Sequence, residues 1–371
     1  MSTPFNTTKE RIEQVCRSFR IEGNFIGAEV ITRGNINTTF RVDFENDGKN
    51  KSYLLQRVNT YVFTTPLQIM SNINLVTTHI RNKNTNSNKT NLHFHHCANG
   101  DNFYFDQDGE FWRLTNYIDS LSFDLCDDPE ILKGAGYAFG EFQTSLEDFD
   151  ASLLYETIPD FHNTPKRFER FLEAVEKDEY GRVCEVAPEI EFTKKHAKLA
   201  SKLIEMKNSG ILPLRVTHND TKSNNVLFDR ESGKPLTVID LDTVMPGLVA
   251  FDFGDAIRSA GNSSEEDETD LSKVYLDIDK FTAFTEGFLK ATAGHITEAE
   301  RDSLALGAFT LTYECGMRFL TDYLEGDKYF RTAYEGHNLV RAKCQYKLAE
   351  DILNKMSDME RIVNEIANAN R

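Results

Sequence analysis

One short polar segment of the chain carries the residue types that a chemical reaction would need. Residues 216–228 contain Asp220, Lys222 and Asn225, and Asp240 follows twenty residues after Asp220. Such a set provides a carboxylate to orient an acceptor hydroxyl, oxygen ligands for magnesium, and a cation to face a transferred phosphoryl group. The residue types and their spacing therefore indicate phosphoryl transfer.

Each of these residues can be given a role. We predict that Asp220, in a loop ahead of a strand, accepts the proton of the acceptor hydroxyl. Lys222, two residues further on, can reach the γ-phosphate of ATP. Asn225 and Asp240 would bind Mg²⁺ through oxygen, and Asp242 would add a second ligand or a contact to one. The opposing interpretation, in which the segment only caps a turn, explains neither the spacing nor the flanking strands.

A nearby sequence, Asp252-Phe253-Gly254, spells the magnesium-binding motif of protein kinases. It lies 32 residues after Asp220 and beyond Pro246-Gly247, where a helix is predicted to begin. We therefore predict that Asp252 caps this helix or braces the loop around Asp220, and that Asp240 takes the magnesium role.

Two kinds of hydrophobic pattern divide the chain. Alternating polar and apolar residues predict strands at 27–32, 38–46, 52–58, 102–106 and 110–118. Helical spacing occurs at 7–19 and 66–82, and from Pro129 onward it dominates, with short strands at 226–228 and 237–239. We predict an α+β fold with a small β-rich N-terminal lobe, residues 1–117, that binds the nucleotide. The larger α-helical C-terminal lobe, residues 118–371, would hold the catalytic and acceptor sites.

Charge and composition exclude several classes of protein. The net charge of −17 argues against nucleic acid or an anionic membrane as a partner. Residues 1–117 carry +2 and the remainder −19, which suits a polyanion in the first part, although solubility alone explains the acidity equally well. The six scattered cysteines include no Cys-x-x-Cys pair, and no apolar stretch is long enough for a bilayer. We expect a cytoplasmic protein, and the sequence indicates no oligomeric state.

The order His-x-Asp-x-Lys-x-x-Asn, followed by an apolar-Asp pair, resembles the catalytic loop of the protein-kinase-like superfamily. The form His218-Asn219-Asp220 is similar to that of aminoglycoside phosphotransferases and choline kinases. Over nearly its whole length the chain resembles the N-acetylhexosamine 1-kinase family. The matching stretches are 36–39, 212–222, 239–247, 251–255, 314–320, 322–327 and 337–341. The resemblance implies a two-lobed protein-kinase-like fold, of the aminoglycoside phosphotransferase type.

The resemblance also implies a reaction and an acceptor site. The family transfers phosphate from ATP, with Mg²⁺, to the anomeric hydroxyl of N-acetylglucosamine or N-acetylgalactosamine. Asp220 would be the base, and Arg318 and Tyr329 would line the sugar pocket beside it. From the residues alone, Arg318 would instead pair with Glu314 four residues earlier, and Tyr329 would simply pack.

The nucleotide side is marked less clearly. Gly34, Asn37 and Thr38 lie between two predicted strands, where backbone N–H groups could cover phosphates. A plain hairpin turn fits the same residues. The adenine is expected near Leu114 and Asn116, through backbone hydrogen bonds.

Two rival functions remain open. A kinase of another small molecule, such as an aminoglycoside or choline, would use the same loop, and an acidic second lobe would suit a cationic acceptor. The motifs around Arg318 and Asp327 favour the hexosamine kinases. A pseudokinase would explain why Gln56 stands where protein kinases carry a phosphate-binding Lys on the third strand. The hexosamine kinases tolerate Gln there, and the complete catalytic segment argues against a pseudokinase.

Overall fold

The alternating residues of the N-terminal part form an antiparallel sheet in the computed structural model, which describes residues 8–32, 36–83, 90–124 and 126–370. The chain divides into two units, Met1–Ser120 and Leu121–Arg371. The elements of the first unit are α1 (Lys9–Arg17), β1 (Asn24–Ile31), β2 (Thr38–Asn46), β3 (Lys49–Val58), α2 (Pro66–Lys83), β4 (Tyr104–Phe105) and β5 (Phe111–Asn116).

The described strands of the first unit form a sheet in the order β1-β2-β3-β5-β4. Because successive side chains of a strand point to opposite faces, every second residue of β2 enters the core. Phe40, Val42 and Phe44 are buried there. The side chains that pack with them come from α1, β3 and β5: Ile12, Val15, Tyr53, Leu55, Trp112 and Leu114. The sheet and α1 therefore share one hydrophobic core.

The second unit is mainly helical. Its elements are α3 (Pro129–Ser145), α4 (Thr164–Lys177), α5 (Ala187–Ala200), α6 (Lys202–Asn208), β6 (Arg215–Thr217), β7 (Val226–Phe228), β8 (Pro235–Val238), β9 (Met245–Gly247), α7 (Val249–Ala260), α8 (Ile278–Thr292), α9 (Glu298–Asp302), α10 (Leu304–Leu324) and α11 (His337–Ala369). The short strands pair as two separate antiparallel ladders, β6 with β9 and β7 with β8. None of the helices in the described ranges combines the length and apolar character that a membrane crossing needs.

Helices α3 and α8 approach one another closely because glycines lie at their contact. A Cβ atom added at Gly136 would overlap the backbone of Phe284, and one added at Gly287 would overlap the backbone of Lys133. Beside this contact, Phe253 of α7 packs edge-on against Phe288 of α8, with the ring centroids 5.3 Å apart. The glycine contacts and this ring contact therefore fix the spacing of α3, α7 and α8.

The α+β organisation predicted from the sequence is confirmed. Strands β2 and β7 cover the predicted residues without a shift, whereas β4 is reduced to two residues of the predicted hairpin. The turn of that hairpin is as predicted, with Gly109 at φ +78°. The predicted phosphate-loop residue Gly34 lies outside the described residues.

We expect Gly287→Ala to lower the free energy of unfolding by about 1–3 kcal/mol, because the added methyl group must push α8 away from α3. Urea denaturation measures this change. Gly27→Ala is the matched control, since a Cβ atom there has no neighbour within 4 Å, and it should change stability by less than about 1 kcal/mol. Equal losses in the two variants would contradict the close helix contact.

Candidate active site

The segment between β6 and β7 is held at both ends by a strand. Thr217, the last residue of β6, pairs with Met245 of β9, and Val226, the first residue of β7, pairs with Val238 of β8. Between them, Asn219 has φ +62°, a left-handed conformation that Asn adopts more readily than most residues. The two ladders therefore fix where the intervening polar residues begin and end.

Asp252 of α7 binds the backbone of this segment. Its carboxylate accepts hydrogen bonds from the backbone N–H of His218 at 2.9 Å and of Asn219 at 2.8 Å, and from Gln143 Nε2 at 2.5 Å. Asp252 is 1% exposed. The brace predicted for Asp252 is thus confirmed. The helix cap is wrong, because α7 begins at Val249 and places Asp252 inside its first turn.

Asp255, one turn further along α7, continues the brace. It accepts the backbone N–H of Thr221 at 2.9 Å and pairs with Arg258 at 2.9 Å. Burial alone would raise the pKa of Asp255, but the nearby charges and hydrogen bonds, with Arg258 foremost, together lower it. The sequence interpretation overlooked Asp255, although its i+3 spacing from Asp252 places both carboxylates on one face of a helix.

His218 ties the segment to the strand that leads to Asp240. Its Nε2 lies 2.8 Å from the carbonyl oxygen of Ile239, and its Nδ1 accepts the backbone N–H of Asp220 at 3.3 Å. The two ring nitrogens thus contact the backbone on both sides of the site. The ring is fully buried, with Phe139 and Phe142 edge-on to it. His218 therefore serves to orient the segment.

Three of the predicted site residues come together, the catalytic pair and one metal ligand. Lys222 Nζ lies 3.1 Å from Asp220 Oδ2, and Asn225 Nδ2 donates to Asp220 Oδ2 at 3.2 Å and to the Asp220 carbonyl oxygen at 2.8 Å. Burial opposes the charge of Lys222, but Asp220, Asp240 and Asp255 together raise its pKa. Lys222 is consequently protonated at neutral pH, and both it and Asp220 keep part of their surface exposed for a ligand.

The oxygens predicted to hold magnesium lie around the same loop. The backbone N–H of Ile239 donates to the Asn225 carbonyl oxygen at 2.9 Å, and Asp240 is the next residue along the chain. Asp240 has φ +62°, and Asp242 follows in a short 3₁₀ turn. Because the side-chain N–H₂ of Asn225 binds Asp220, its amide oxygen is the atom left for a cation.

This donor set fits magnesium. Mg²⁺ commonly takes one or two protein oxygens and completes its octahedron with water and substrate phosphates. Among the described residues there is no cluster of three His, Cys, Asp or Glu that could hold a metal by itself. Asn225 and Asp240 match the sparse set that a nucleotide-bound ion requires.

Arg318 of α10 is held by aromatic rings. Its guanidinium lies over Phe161 and Phe330, 5.6 Å and 5.3 Å from the ring centroids. Glu314 pairs with Arg167 at 3.4 Å and contacts His162 Nδ1 at 2.9 Å, and Arg318 has not formed the pair that its spacing allowed.

Tyr329 follows α10 and is 63% exposed. Its ring lies edge-on to that of Phe330, with centroids 4.8 Å apart. Helix α10 packs closely on α7, since a Cβ atom added at Gly254 of α7 would overlap the backbone of Gly307 of α10. The helix that carries Arg318 therefore passes close to the residue that braces the catalytic segment.

The predicted nucleotide contacts in the first unit already have protein partners. Asn37 Oδ1 accepts the backbone N–H of Asn59, and Thr38 Oγ1 lies 3.4 Å from Arg57 Nη2. Gln56 at the predicted Lys position bonds Thr39 at 3.2 Å and Arg113 at 2.9 Å.

The predicted adenine contacts are engaged as well. The Leu114 carbonyl oxygen accepts a hydrogen bond from the backbone N–H of His95, and the Asn116 backbone N–H donates to the carbonyl oxygen of His93. The nucleotide roles of Asn37, Thr38, Leu114 and Asn116 stay predictions.

Comparison with known proteins agrees with this geometry. The family model of the phosphotransferase enzyme family matches residues 27–279. An aminoglycoside phosphotransferase from Alicyclobacillus acidocaldarius has a similar structure, with TM-score 0.64 and 12% identity over 95% of this chain and 96% of that one. A microcompartment-associated aminopropanol kinase matches with TM-score 0.60 and 16% identity over 95% and 98%.

A third similar structure is a spectinomycin phosphotransferase solved with ADP and spectinomycin. It matches with TM-score 0.55 and 14% identity over 98% of this chain and 99% of that one. At such identities the likeness concerns the fold. The aminoglycoside phosphotransferase-like fold expected from the sequence is therefore confirmed.

Burial raises the pKa of Asp252 from 3.8 to about 6, although His218 and the bound N–H groups act against this rise. Between these two values the folded chain holds a proton that the unfolded chain has lost, so the free energy of unfolding falls as pH rises. Asp252→Asn removes this titration. We expect the stability of the wild type relative to the variant to fall by about 3 kcal/mol between about pH 4 and pH 6.

Urea denaturation of both proteins at several pH values measures the difference. Asp279→Asn, at an exposed position of α8, is the control and should show no such dependence. A difference between wild type and Asp252→Asn that stays constant across this window would contradict the assignment.

Proposed function

This chain belongs to the phosphotransferase enzyme family, and on that premise we propose that it transfers the γ-phosphoryl group of ATP to the anomeric hydroxyl of an N-acetylhexosamine. N-acetylglucosamine and N-acetylgalactosamine are the proposed acceptors. The observation that carries the proposal is the contact of Asp220 with both Lys222 and Asn225 in one braced loop. The ADP bound to the similar spectinomycin phosphotransferase supports a nucleotide as donor.

In the proposed reaction Asp220 accepts the proton of the acceptor hydroxyl. The freed oxygen bonds to the γ-phosphorus while the bond to the β–γ bridging oxygen breaks, which leaves ADP and the sugar 1-phosphate. Lys222, protonated and 3.1 Å from Asp220, faces the charge that develops on the transferred group. Mg²⁺, held by Asn225 and Asp240 with Asp242 nearby, would neutralise the phosphate oxygens.

The surroundings of Arg318 support a neutral, oxygen-rich acceptor. A guanidinium group donates several hydrogen bonds in one plane, which suits the hydroxyl and acetyl oxygens of a sugar. Arg318 rests on the rings of Phe161 and Phe330 and has no ion-pair partner among the described residues. The positive charge of this guanidinium would repel a cationic acceptor such as choline or an aminoglycoside.

We expect the purified protein, with ATP and Mg²⁺, to phosphorylate N-acetylglucosamine, N-acetylgalactosamine or both, and to leave choline and aminoglycosides unmodified. Phosphorus NMR of the product identifies the bond. A phosphate on an anomeric carbon is lost in mild acid, whereas one on an ordinary hydroxyl is retained. Turnover of a cationic acceptor without turnover of either hexosamine would refute the sugar assignment, while the proposal of a small-molecule kinase would stand.

We expect Asp220→Asn to lower turnover by a factor on the order of a thousand, because the amide cannot take the proton of the acceptor. ATP binding, measured by calorimetry, should change little. Asp279→Asn on the exposed side of α8 is the matched control and should keep full turnover. Unchanged turnover in Asp220→Asn would remove Asp220 from the mechanism, and a wild type that binds ATP without turnover of any acceptor would indicate a pseudokinase.

A further inference from the structure

One buried carboxylate organises the loop that follows α10. Asp322 Oδ1 accepts the backbone N–H of Lys328 at 3.0 Å and of Tyr329 at 2.7 Å, and Oδ2 accepts that of Phe330 at 2.9 Å. Asn338 Nδ2 from α11 donates to Oδ2 at 2.8 Å. Asp322 is 3% exposed. Four hydrogen bonds occupy the lone pairs of its two oxygens, so Asp322 cannot also bind a substrate.

The turn before these amides is fixed as well. Asp327 has φ +58°, and its carboxylate accepts from Asn338 at 2.9 Å and from Arg182 at 2.7 Å. Its backbone N–H donates to the Asp322 carbonyl oxygen at 2.8 Å. Gly326 precedes it at φ +89°, where a Cβ atom would meet the ring of Tyr180. The same Asn338 amide therefore joins the two carboxylates of the loop.

This loop presents two aromatic side chains beside Arg318. The ring of Phe330 lies 4.6 Å from that of Phe319, centroid to centroid, and beneath the guanidinium of Arg318. Tyr329, the next residue back, extends into solvent. Because the backbone N–H groups of Tyr329 and Phe330 are both bound by Asp322, the positions of these rings follow from that carboxylate.

We infer that Asp322 is a positioning residue for the acceptor site, which it shapes by binding the backbone of residues 328–330. The inference rests on the proposed function only in placing the acceptor at Arg318. Asp322 acts through Phe330, the ring on which the Arg318 guanidinium rests, and through Tyr329. Loss of its negative charge should therefore weaken acceptor binding and leave nucleotide binding and the chemical step largely intact.

The variant Asp322→Asn tests this inference, because its amide N–H₂ must face an N–H donor in place of an acceptor. We expect KM for the acceptor to rise about tenfold or more, with KM for ATP and kcat within about threefold of the wild type. Asp358→Asn, on the exposed face of α11 and paired only with Arg361, is the matched control and should change none of the three. A fall in kcat with both KM values unchanged would overturn the positioning role.

A double-mutant cycle separates positioning from general destabilisation. If Asp322 acts through the Phe330 ring under Arg318, its effect should largely disappear once Arg318 is removed. We therefore expect the acceptor KM of the double variant Asp322→Asn, Arg318→Ala to be less than about twofold above that of Arg318→Ala alone. Effects of the two substitutions that multiply would overturn the coupling.

Hydrogen exchange tests, without any substrate, whether Asp322 holds the backbone of residues 328–330. The amides of residues 328–330 should exchange about tenfold faster in Asp322→Asn than in the wild type, with those around Asp358 unchanged. Unaltered exchange at 328–330 would overturn the inference that Asp322 holds this backbone in place. If the wild type phosphorylates another acceptor and no hexosamine, the proposed function fails, and the kinetic constants for that acceptor decide the inference in the same way.

Discussion

The buried carboxylate of Asp252 is the contact on which the arrangement of the catalytic segment depends. It binds two successive backbone N–H groups, those of His218 and Asn219, directly before Asp220. A carboxylate in such a dry position is costly unless its oxygens accept several hydrogen bonds, and here three donors are supplied. The N–H groups would in turn be unsatisfied without it. Because both sides need the contact, the backbone at Asp220 has one favourable position.

The second unit uses the same device more than once. Asp255 holds the backbone of Thr221, and Asp322 holds three successive backbone N–H groups beyond α10. In each case an acidic side chain that is itself buried orients a loop by accepting hydrogen bonds from its backbone. Part of the strong negative charge of the second unit is therefore structural. The acidity by itself does not indicate a cationic acceptor.

The cation facing the catalytic loop depends on its neighbours in a similar way. Lys222 is partly buried, which alone would favour its neutral form, and the surrounding carboxylates restore its charge. Arg318 is held differently, by the faces of two phenylalanine rings. Aromatic rings attract a cation without occupying its N–H groups. Lys222 and Arg318 thus lie in two different environments, the first among carboxylates and the second on aromatic rings.

The sequence alone determined those features that arise from residues close together in the chain. Asp220, Lys222 and Asn225 lie within six residues of one loop, so short spacing sufficed to predict that they belong to one site. The alternation in residues 38–46 likewise predicted β2 without a shift, because alternation alone defines a half-buried strand. Strand β9 escaped prediction because Pro246 and Gly247 are both uncommon in strands, and β6, its partner, was missed as well.

Only the tertiary structure decided which distant groups meet. The link from Asp252 to His218 spans 34 residues, and the choice of Phe161 over Glu314 as a neighbour of Arg318 spans 157. Local spacing cannot settle such choices, because several partners fit the pattern equally well and packing selects among them. The same reason left Asp322 unnoticed in the sequence. Its four donors come from a loop and from the start of the next helix, and they converge only when the chain folds.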